Sequence, residues 1–214
     1  MNVIFSRHGN TFSANEPVVW VGATPDLPLV DSGVLQANDL AQALRKAKLQ
    51  PKRVYCSPLK RTRDYAAIVL EQLYSPVKPM IDNRLNEIDY GRWSGLSKPQ
   101  IQALGEAEAL SAWENRSIWP KSAGWSSSAL QVIKEINAFS HDLVTHVEPT
   151  DTILVVTSNG RLRYFLNLIP GLFEQHVQNK TVKVATGNIC LLTYVENKWQ
   201  LKFWNKKPGY LLHY

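Results

Sequence analysis

The chain has 214 residues, 44% of them hydrophobic, and its formal net charge at pH 7 is +6. That length supports one large domain with a substantial buried core, and the hydrophobic fraction excludes a disordered chain. The surplus of positive charge favours anionic ligands, without choosing among phosphorylated metabolites, nucleic acid and an acidic membrane surface.

Cysteine usage and the N-terminal sequence argue against disulfide-rich, cysteine-metal and membrane proteins. Cys56 and Cys190 are the only cysteines and no CxxC pair exists, so neither a disulfide framework nor a cysteine-rich metal site is indicated. The chain does not begin with a basic stretch followed by a long apolar one, and no apolar run reaches membrane-spanning length. We therefore expect a cytoplasmic protein with no membrane partner.

The predicted elements begin with a strand and a helix. An apolar run predicts a first strand over residues 3–6. Asp31 or Ser32 is suited to be the N-cap of the helix that follows. The apolar face of this helix is predicted to consist of Leu35, Leu40, Leu44 and Ala47.

A second strand and helix follow in the same order. Residues 54–56 predict a short buried strand, and Ser57 and Pro58 have the pattern of an N-cap followed by proline at the first helical position. The predicted buried side chains of that helix are Leu59, Ala66, Leu73 and either Val69 or Leu70. Further along, the spacing of Ser97 and Gln100 predicts a capping box at the start of another helix.

The second half of the chain continues the alternation. A long helix is predicted over residues 128–147, a central strand over 153–156 and a short helix over about 161–169. The predicted apolar face of the long helix is Leu130, Ile133, Ile136, Leu143 and Val147. Two apolar runs, 189–195 and 199–204, then predict a terminal hairpin.

Alternation of strands and helices is typical of the α/β class. We predict a three-layer α/β/α sandwich around a mostly parallel mixed sheet, with residues 1–214 forming a single domain. The segment from about 93 to 128 is long and rich in Trp, Ser and Gly, and we expect it to form a helical lid insertion beside the strand ends.

Basic and polar side chains follow three of the predicted strands. Arg7 and His8 follow the first strand, and Arg61 lies on the first turn of the helix after the second. Ser158 and Asn159 follow the central strand. Because ligands of such sheets bind outside the carboxyl ends of the strands, we expect these groups to meet at one edge. An arginine fork suits phosphoryl oxygens, and a neutral histidine is a nucleophile for phosphorus.

Four ordered blocks resemble the histidine phosphatase superfamily, also called the phosphoglycerate mutase-like family. The blocks are RHGNT at residues 7–11, the stretch from DLPL at 26–29 to QA at 36–37, SPLKRT at 57–62 and LNEIDYGRWSG at 85–95. The resemblance runs in order over nearly the whole chain, and it implies the phosphoglycerate mutase-like fold. A single three-residue motif would be weak evidence, whereas four ordered blocks are specific.

The resemblance also implies a role for each matching residue. His8 matches the nucleophile that becomes phosphohistidine, and Glu87 matches the general acid that protonates the leaving oxygen and then activates water. Arg7 and Arg61 match the two guanidinium groups that bind the phosphoryl oxygens. The chemistry agrees with these roles, since fixed cations stabilise the spread charge of a phosphoryl group and a positioned acid assists a poor leaving group.

One position departs from the family pattern. The family places a second histidine after the central strand, where this chain has Ser158 if the blocks align without a gap, or Asn159 with a shift of one residue. The alignment without a gap is preferred, because it also matches Leu162 and Arg163 to the family pattern. Either way a neutral donor to the phosphoryl group replaces one that can be cationic. Losing such a donor costs on the order of 10²–10³ in rate, so the departure opens the alternative of a weakly active member.

The sequence therefore predicts a phosphatase that hydrolyses a small phosphorylated metabolite through phosphohistidine, without a metal or cofactor. The extra basic segment of the glycolytic mutases and the acidic group expected near residues 124–126 are both missing, which favours hydrolysis over a mutase reaction. The alternative is a catalytically weak or inactive member that binds phosphorylated ligands or a protein partner.

Nucleic acid is not an expected partner. The basic and aromatic residues at 202–207 suit a single-strand surface, but Trp199, Leu201 and Phe203 alternate as a half-buried strand would. The expected partner is a small phosphorylated substrate, and the sequence leaves a homodimer open.

Overall fold

The computed structural model describes residues 1–148 and 150–214, and a six-stranded sheet forms the centre of that part of the chain. The strands are β1 (Asn2–Arg7), β2 (Arg53–Cys56), β3 (Met80–Ile81), β4 (Thr152–Thr157), β5 (Ile189–Val195) and β6 (Lys198–Lys206). The α-helices are α1 (Asp31–Lys46), α2 (Lys60–Gln72), α3 (Lys98–Ile101), α4 (Ala107–Arg116), α5 (Ala129–His146), α6 (Asn159–Leu162) and α7 (Leu172–Gln178).

The sheet is mixed, with its parallel part at the centre. Its order is β3-β2-β4-β1-β5-β6, and β1, β2, β3 and β4 pair in parallel. β5 pairs antiparallel with β1, and β6 closes the terminal hairpin against β5. The turn of this hairpin is Glu196 and Asn197, both at positive φ. The predicted central strand and hairpin are confirmed, whereas the two-residue strand β3 was not predicted.

Alternate side chains of the central strands enter two separate cores. Val3 and Ile153 belong to one apolar cluster together with residues of α5, whereas Ile4 and Leu154 belong to the other together with residues of α1 and α2. The sheet is therefore covered by helices on both faces, which confirms the three-layer α/β/α arrangement.

The first two helices begin differently from the prediction. α1 has Val30 as its N-cap, without a side-chain cap from Asp31 or Ser32, and Leu35 is 62% exposed because it lies opposite the buried stripe. α2 begins at Lys60 rather than at the predicted proline, with Leu59 as its N-cap. Ser57 Oγ bonds Thr62 Oγ1 at 2.7 Å and accepts only a long hydrogen bond, of 3.4 Å, from the N–H of Leu59. The predicted buried residues of α2 are confirmed.

The later helices also agree with the sequence predictions only in part. Ser128 caps α5 by accepting a hydrogen bond from the Gln131 N–H at 3.2 Å. Leu130 was predicted to be buried and is 63% exposed, since the buried stripe includes Val132 and Phe139 instead. The helix predicted over 161–169 is in fact the single turn α6 followed by a 3₁₀ segment at Arg163–Leu168. Helix α7 was not predicted.

The 93–128 segment carries short helices and many aromatic rings. Its predicted capping box is confirmed, with Ser97 and Gln100 bonding reciprocally at the start of α3. The Trp113 ring lies 5.7 Å from that of Trp119 and 4.7 Å from that of Trp125, centroid to centroid. That this segment acts as a lid within a single domain stays a prediction. Within residues 1–148 and 150–214, no helix combines the length and apolar character needed to cross a membrane.

Candidate active site

A cavity of about 1040 Å³ lies where the predicted site residues meet. Five of the six residues predicted from the sequence line it, namely Arg7, His8, Arg61, Glu87 and Asn159. They come from the ends of β1 and β4, from the first turn of α2 and from the loop after residue 85. Parallel strands ending at one edge thus deliver residues far apart in the chain to one place.

His8 is held in one tautomer by a backbone carbonyl. Its Nδ1 lies 2.7 Å from the carbonyl oxygen of Gly9, which can only accept, so Nδ1 carries the proton. Nε2 then bears the lone pair, and it accepts a hydrogen bond from Nε of Arg61 at 3.2 Å. Burial, followed by the charges of Arg61 and Arg7, holds the pKa of His8 well below its ordinary 6.5. The imidazole is therefore neutral at pH 7, as a nitrogen nucleophile must be.

Arg61 is buried against His8 with part of its fork unused. One terminal nitrogen, Nη2, donates to the carbonyl oxygen of Gly22 at 2.6 Å. The other, Nη1, is buried and has no hydrogen-bond partner among the described residues. Burial lowers the pKa of Arg61, with Glu87 opposing that effect. An unpaired buried guanidinium nitrogen is costly, so an anion in the cavity would satisfy it.

Arg7 is fixed by the segment before β5. Its Nη1 donates to the carbonyl oxygen of Val184 at 2.7 Å, and its Nε is buried without a partner among the described residues. The N–H of Gly187 is shared between the carbonyl oxygens of Arg7 and His8, at 3.2 and 3.1 Å. Burial lowers the pKa of Arg7, as it does for Arg61. The side chain is thus anchored at one nitrogen, and its Nε edge remains available for an anion.

Glu87 is oriented by three backbone donors. Its Oε1 accepts from the N–H groups of Ile88 and Arg161, at 2.9 and 3.0 Å, and its Oε2 accepts from the N–H of Gly160 at 3.0 Å. Gly160 permits this approach, because a Cβ there would overlap Glu87 Oε1 and lie 2.5 Å from the hydroxyl oxygen of Tyr90. The carboxylate is therefore held in one place at the cavity wall.

Ser158 and Asn159 occupy different positions. Ser158 is 1% exposed, and its Oγ lies 3.5 Å from Nη2 of Arg61, a long contact; it is not among the residues that line the cavity. Asn159 does line the cavity, and its Oδ1 accepts from the N–H of Val184 at 2.8 Å. Its amide nitrogen has no partner among the described residues, so of the two it is the better placed donor to a ligand.

Sequence reasoning missed several residues of the cavity wall. Tyr90, Trp113, Arg163 and Lys183 all line it. Burial and the charge of Glu87 raise the pKa of Tyr90 well above 10, so its hydroxyl stays protonated. The tyrosine lies in the block quoted for the family resemblance, and its spacing of three residues from Glu87 was the available signal.

The donors of this site suit an anion rather than a cation. Nitrogen donors from Arg7, Arg61 and Asn159 line the same cavity as the candidate nucleophile, and such donors suit phosphoryl oxygens. Within residues 1–148 and 150–214, no group of three or more His, Cys, Asp or Glu side chains is arranged to hold a metal ion. The arrangement brings together a neutral imidazole, two guanidinium groups and a fixed carboxyl group.

The remaining histidines lie elsewhere. His141, His146 and His213 are exposed, and His176 is half-buried with its ring 5.8 Å from that of Trp204. None of the four lines the cavity. No described histidine therefore takes the place of the second family histidine.

Known proteins resemble this chain over most of its length. The sequence model of the histidine phosphatase superfamily, branch 1, matches residues 3–207 of the chain. The 2,3-bisphosphoglycerate-dependent phosphoglycerate mutase of Bartonella bacilliformis is 28% identical over 193 residues, covering 86% of this chain and 88% of that relative. The mutase of the same name from Brucella anthropi is 29% identical over 158 residues, covering 71% of this chain and 74% of the relative.

Solved structures with this fold include phosphatases. A mycobacterial glucosyl-3-phosphoglycerate phosphatase, determined with VO3, superposes with a TM-score of 0.79 at 25% identity, covering 96% of this chain and 99% of its own. The alpha-ribazole phosphatase of Shigella flexneri superposes with a TM-score of 0.74 at 24% identity, covering 96% of each chain, and that likeness shows the fold alone.

Proposed function

The chain belongs to the histidine phosphatase superfamily, and from that premise we propose that it hydrolyses a phosphomonoester of a small metabolite through a phosphohistidine intermediate. The observation that carries the proposal is the state of His8. It is buried, neutral and protonated on Nδ1, so Nε2 has a lone pair beside Arg61, in the cavity that Arg7 also lines. Mutases and phosphatases among the relatives and neighbours both support phosphoryl transfer.

In the first step, the substrate phosphoryl group binds the free nitrogens of Arg7 and Arg61. Nε2 of His8 attacks phosphorus, and its lone pair forms the N–P bond while the bond to the ester oxygen breaks. That oxygen takes a proton from Glu87 and leaves as an alcohol. The arginines stabilise the charge on the three phosphoryl oxygens, and general acid catalysis contributes on the order of 10²–10⁴-fold.

In the second step, water attacks the phosphohistidine. Glu87, now ionised, accepts a proton from the water as the new P–O bond forms. The N–P bond breaks, its electron pair returns to Nε2, and inorganic phosphate leaves. His8 and Glu87 then have their starting protonation states. No metal ion takes part in either step, because the two guanidinium groups supply the positive charge.

A mutase reaction differs only in the second step. In a mutase, a second hydroxyl of the substrate takes the phosphoryl group from His8 instead of water. The basic segment that the glycolytic mutases insert after the glutamate block is not visible in this sequence, and that absence favours hydrolysis. The sequence similarity to 2,3-bisphosphoglycerate-dependent phosphoglycerate mutases makes the mutase the second candidate.

A metabolite panel tests the proposal. The wild-type protein is incubated with phosphomonoesters in the presence of a chelator, and released phosphate and isomerised substrate are both quantified. His8→Ala is the blank, and His141→Ala, which alters an exposed histidine on α5, is the matched control. We expect phosphate release by the wild type and His141→Ala, and an acid-labile phosphoenzyme that is lost in His8→Ala.

Other outcomes would separate the alternatives. Isomerisation without phosphate release would identify a mutase. Binding of phosphomonoesters without either product would identify the catalytically inactive alternative. Activity abolished by the chelator and restored by a divalent ion would contradict the metal-independent mechanism.

A further inference from the structure

The cavity contains more cationic groups than a phosphoryl group requires. Its lining has five cationic side chains against three acidic ones. The cationic residues are Arg7, Arg61, Lys98, Arg163 and Lys183, and the acidic residues are Glu16, Glu87 and Glu114. Because the proposed phosphoryl site uses only the two arginines that contact or flank His8, three cations remain to be explained.

One of those three is already paired. Lys98 Nζ lies 2.6 Å from the carboxylate of Glu114. The other two acids are engaged as well, since Glu16 accepts a hydrogen bond from the N–H of Ser13 at 2.6 Å and Glu87 is held by three backbone N–H groups. Arg163 and Lys183 form no salt bridge within residues 1–148 and 150–214.

Arg163 is buried with one edge of its guanidinium unused. The residue is 5% exposed, its Cζ lies 4.4 Å from the centroid of the Trp113 ring, and its Nη1 donates to Ser117 Oγ at 3.2 Å. Its Nε is buried with no partner, and its Nη2 donates to no atom of the described residues. The Nε and Nη2 edge is the one that binds a carboxylate or phosphate with two parallel hydrogen bonds.

Two other arginines of this chain provide a comparison for the free edge of Arg163. Arg161 is also 5% exposed, but its Nε bonds the carbonyl oxygen of Asn86 at 2.7 Å and its Nη1 lies 2.5 Å from the carboxylate of Glu135. Arg7, in contrast, repeats the pattern of Arg163, with Nη1 bonded and Nε buried and free. The arginine that resembles Arg163 is therefore one assigned to phosphoryl oxygens.

Lys183 adds a second charge to the same wall. It lies next to Val184, whose carbonyl oxygen anchors Arg7, and the charges of Arg7 and Arg163 both contribute to a lowered pKa of Lys183, after partial desolvation. Like charges that line one cavity repel one another, so these groups favour an anion in that cavity.

We propose that Arg163 and Lys183 form a second anion-binding subsite, so that the substrate is a phosphomonoester with a second anionic group, either a carboxylate or another phosphate. This inference rests on the proposed phosphoryl site at His8. The edge of Arg163 binds two oxygens of the second group, Trp113 holds the guanidinium from its other face, and Lys183 supplies a further charge. The phosphoryl group then points to His8 because the other end of the substrate is fixed.

The test measures binding without requiring turnover. The probes are alkylphosphonates with two to five methylene groups, which end in a carboxylate, a second phosphonate or, as the matched neutral probe, a hydroxyl. Calorimetry gives the ratio of affinities between each charged probe and the hydroxyl probe of equal length. We expect a ratio of about 10 or more at one length in the wild type, as a charge-assisted pair of hydrogen bonds would give.

Two variants test whether Arg163 and Lys183 produce this ratio of affinities. Arg163→Met keeps an apolar side chain under Trp113 without the charge, and Lys183→Met removes the second charge; each should reduce the ratio to below about 3. Lys134→Met, at an exposed position on α5, should leave it unchanged. If Arg163→Met does not give a cooperative thermal transition, Lys183→Met carries the test, because the Lys183 side chain is exposed.

The results distinguish this proposal from the proposed function. A ratio near 1 at every length in the wild type, or a high ratio that survives both Arg163→Met and Lys183→Met, would overturn the subsite. Failure of the matching carboxyalkyl phosphates and alkyl bisphosphates to release phosphate would contradict hydrolysis while leaving the affinity ratio measurable. Preference for the carboxylate over the second phosphonate, or the reverse, identifies which anion the subsite takes.

Discussion

Nε of Arg61 donates a hydrogen bond to Nε2 of His8 over 3.2 Å. Arg61, which is proposed to bind the phosphoryl group, therefore donates to the same lone pair of His8 that is proposed to attack phosphorus. On the proposed mechanism, a phosphoryl group that enters the cavity takes the Arg61 hydrogen bond away from Nε2, which frees the lone pair for attack on phosphorus. Until then the contact stabilises the neutral imidazole with its proton on Nδ1.

Replacing Arg61 with methionine should raise the pKa of His8. Burial is the largest cause of the lowered pKa and the charge of Arg61 is the next, so removing that charge while keeping an apolar side chain moves the pKa back toward 6.5. An NMR titration of the His8 ring protons, assigned with His8→Gln, measures the change. Lys134→Met is the control, and an unchanged or lower pKa in Arg61→Met would contradict the assignment.

The lowered pKa of His8 should also make the fold less stable in acid. The unfolded chain protonates this histidine as the pH falls through about 6.5, whereas the folded state keeps it neutral, so stability is lost as the pH falls. For a histidine that stays neutral, the loss at pH 5.5 is about 1.4 kcal/mol. Urea unfolding at pH 8 and pH 5.5 should show a smaller loss in His8→Gln than in the wild type. His141→Gln, at an exposed position, should behave as the wild type does.

The two candidate replacements for the second family histidine should differ in their effect. Asn159 lines the cavity and Ser158 does not, so Asn159→Ala should lower kcat/KM by about 10²-fold and Ser158→Ala by less than about 10-fold. Steady-state kinetics on one phosphomonoester, together with inhibition by inorganic phosphate, compare the two. The opposite order would restore the alignment in which Ser158 supplies the donor.

A methyl group at Gly160 should displace the proposed general acid. In Gly160→Ala the added Cβ would overlap Glu87 Oε1 and press on the Tyr90 hydroxyl, whereas a Cβ at Gly209 would contact nothing within 4 Å. We expect kcat to fall by about 10²-fold in Gly160→Ala and to stay unchanged in Gly209→Ala. Thermal unfolding of both variants shows whether the loss is local. Full activity in Gly160→Ala would exclude Glu87 as the acid.

Residues at strand ends were the most predictable part of this molecule. Continuous or alternating apolar residues identified β1, β4 and the hairpin, and parallel strands necessarily end at one edge. Arg7, His8 and Arg61 could therefore be placed together from the sequence. Their roles were implied by a family resemblance and stay a proposal.

Helix faces and the far wall of the cavity were less predictable. Leu35 and Leu130 are apolar yet exposed. In α1 the buried face includes small residues such as Ala37 and Ala41, and in α5 it includes Val132. Arg163 and Lys183 were not recognised as cavity residues, since nothing in a sequence shows whether a basic side chain has an acidic partner. Whether such a pair forms depends on how segments far apart in the chain pack together.

The anchoring of Arg7 and Asn159 uses only the main chain of Val184. Its carbonyl oxygen accepts a hydrogen bond from Arg7 and its N–H donates one to Asn159. The main chain of one residue thus fixes the side chains found at the ends of β1 and β4. Every residue type except proline carries both groups, and proline lacks only the N–H. These two hydrogen bonds place no demand on the side chain at position 184, which is constrained separately because it is buried in the apolar cluster that contains Val3. Sequence identity between relatives therefore does not show whether the two main-chain hydrogen bonds are kept.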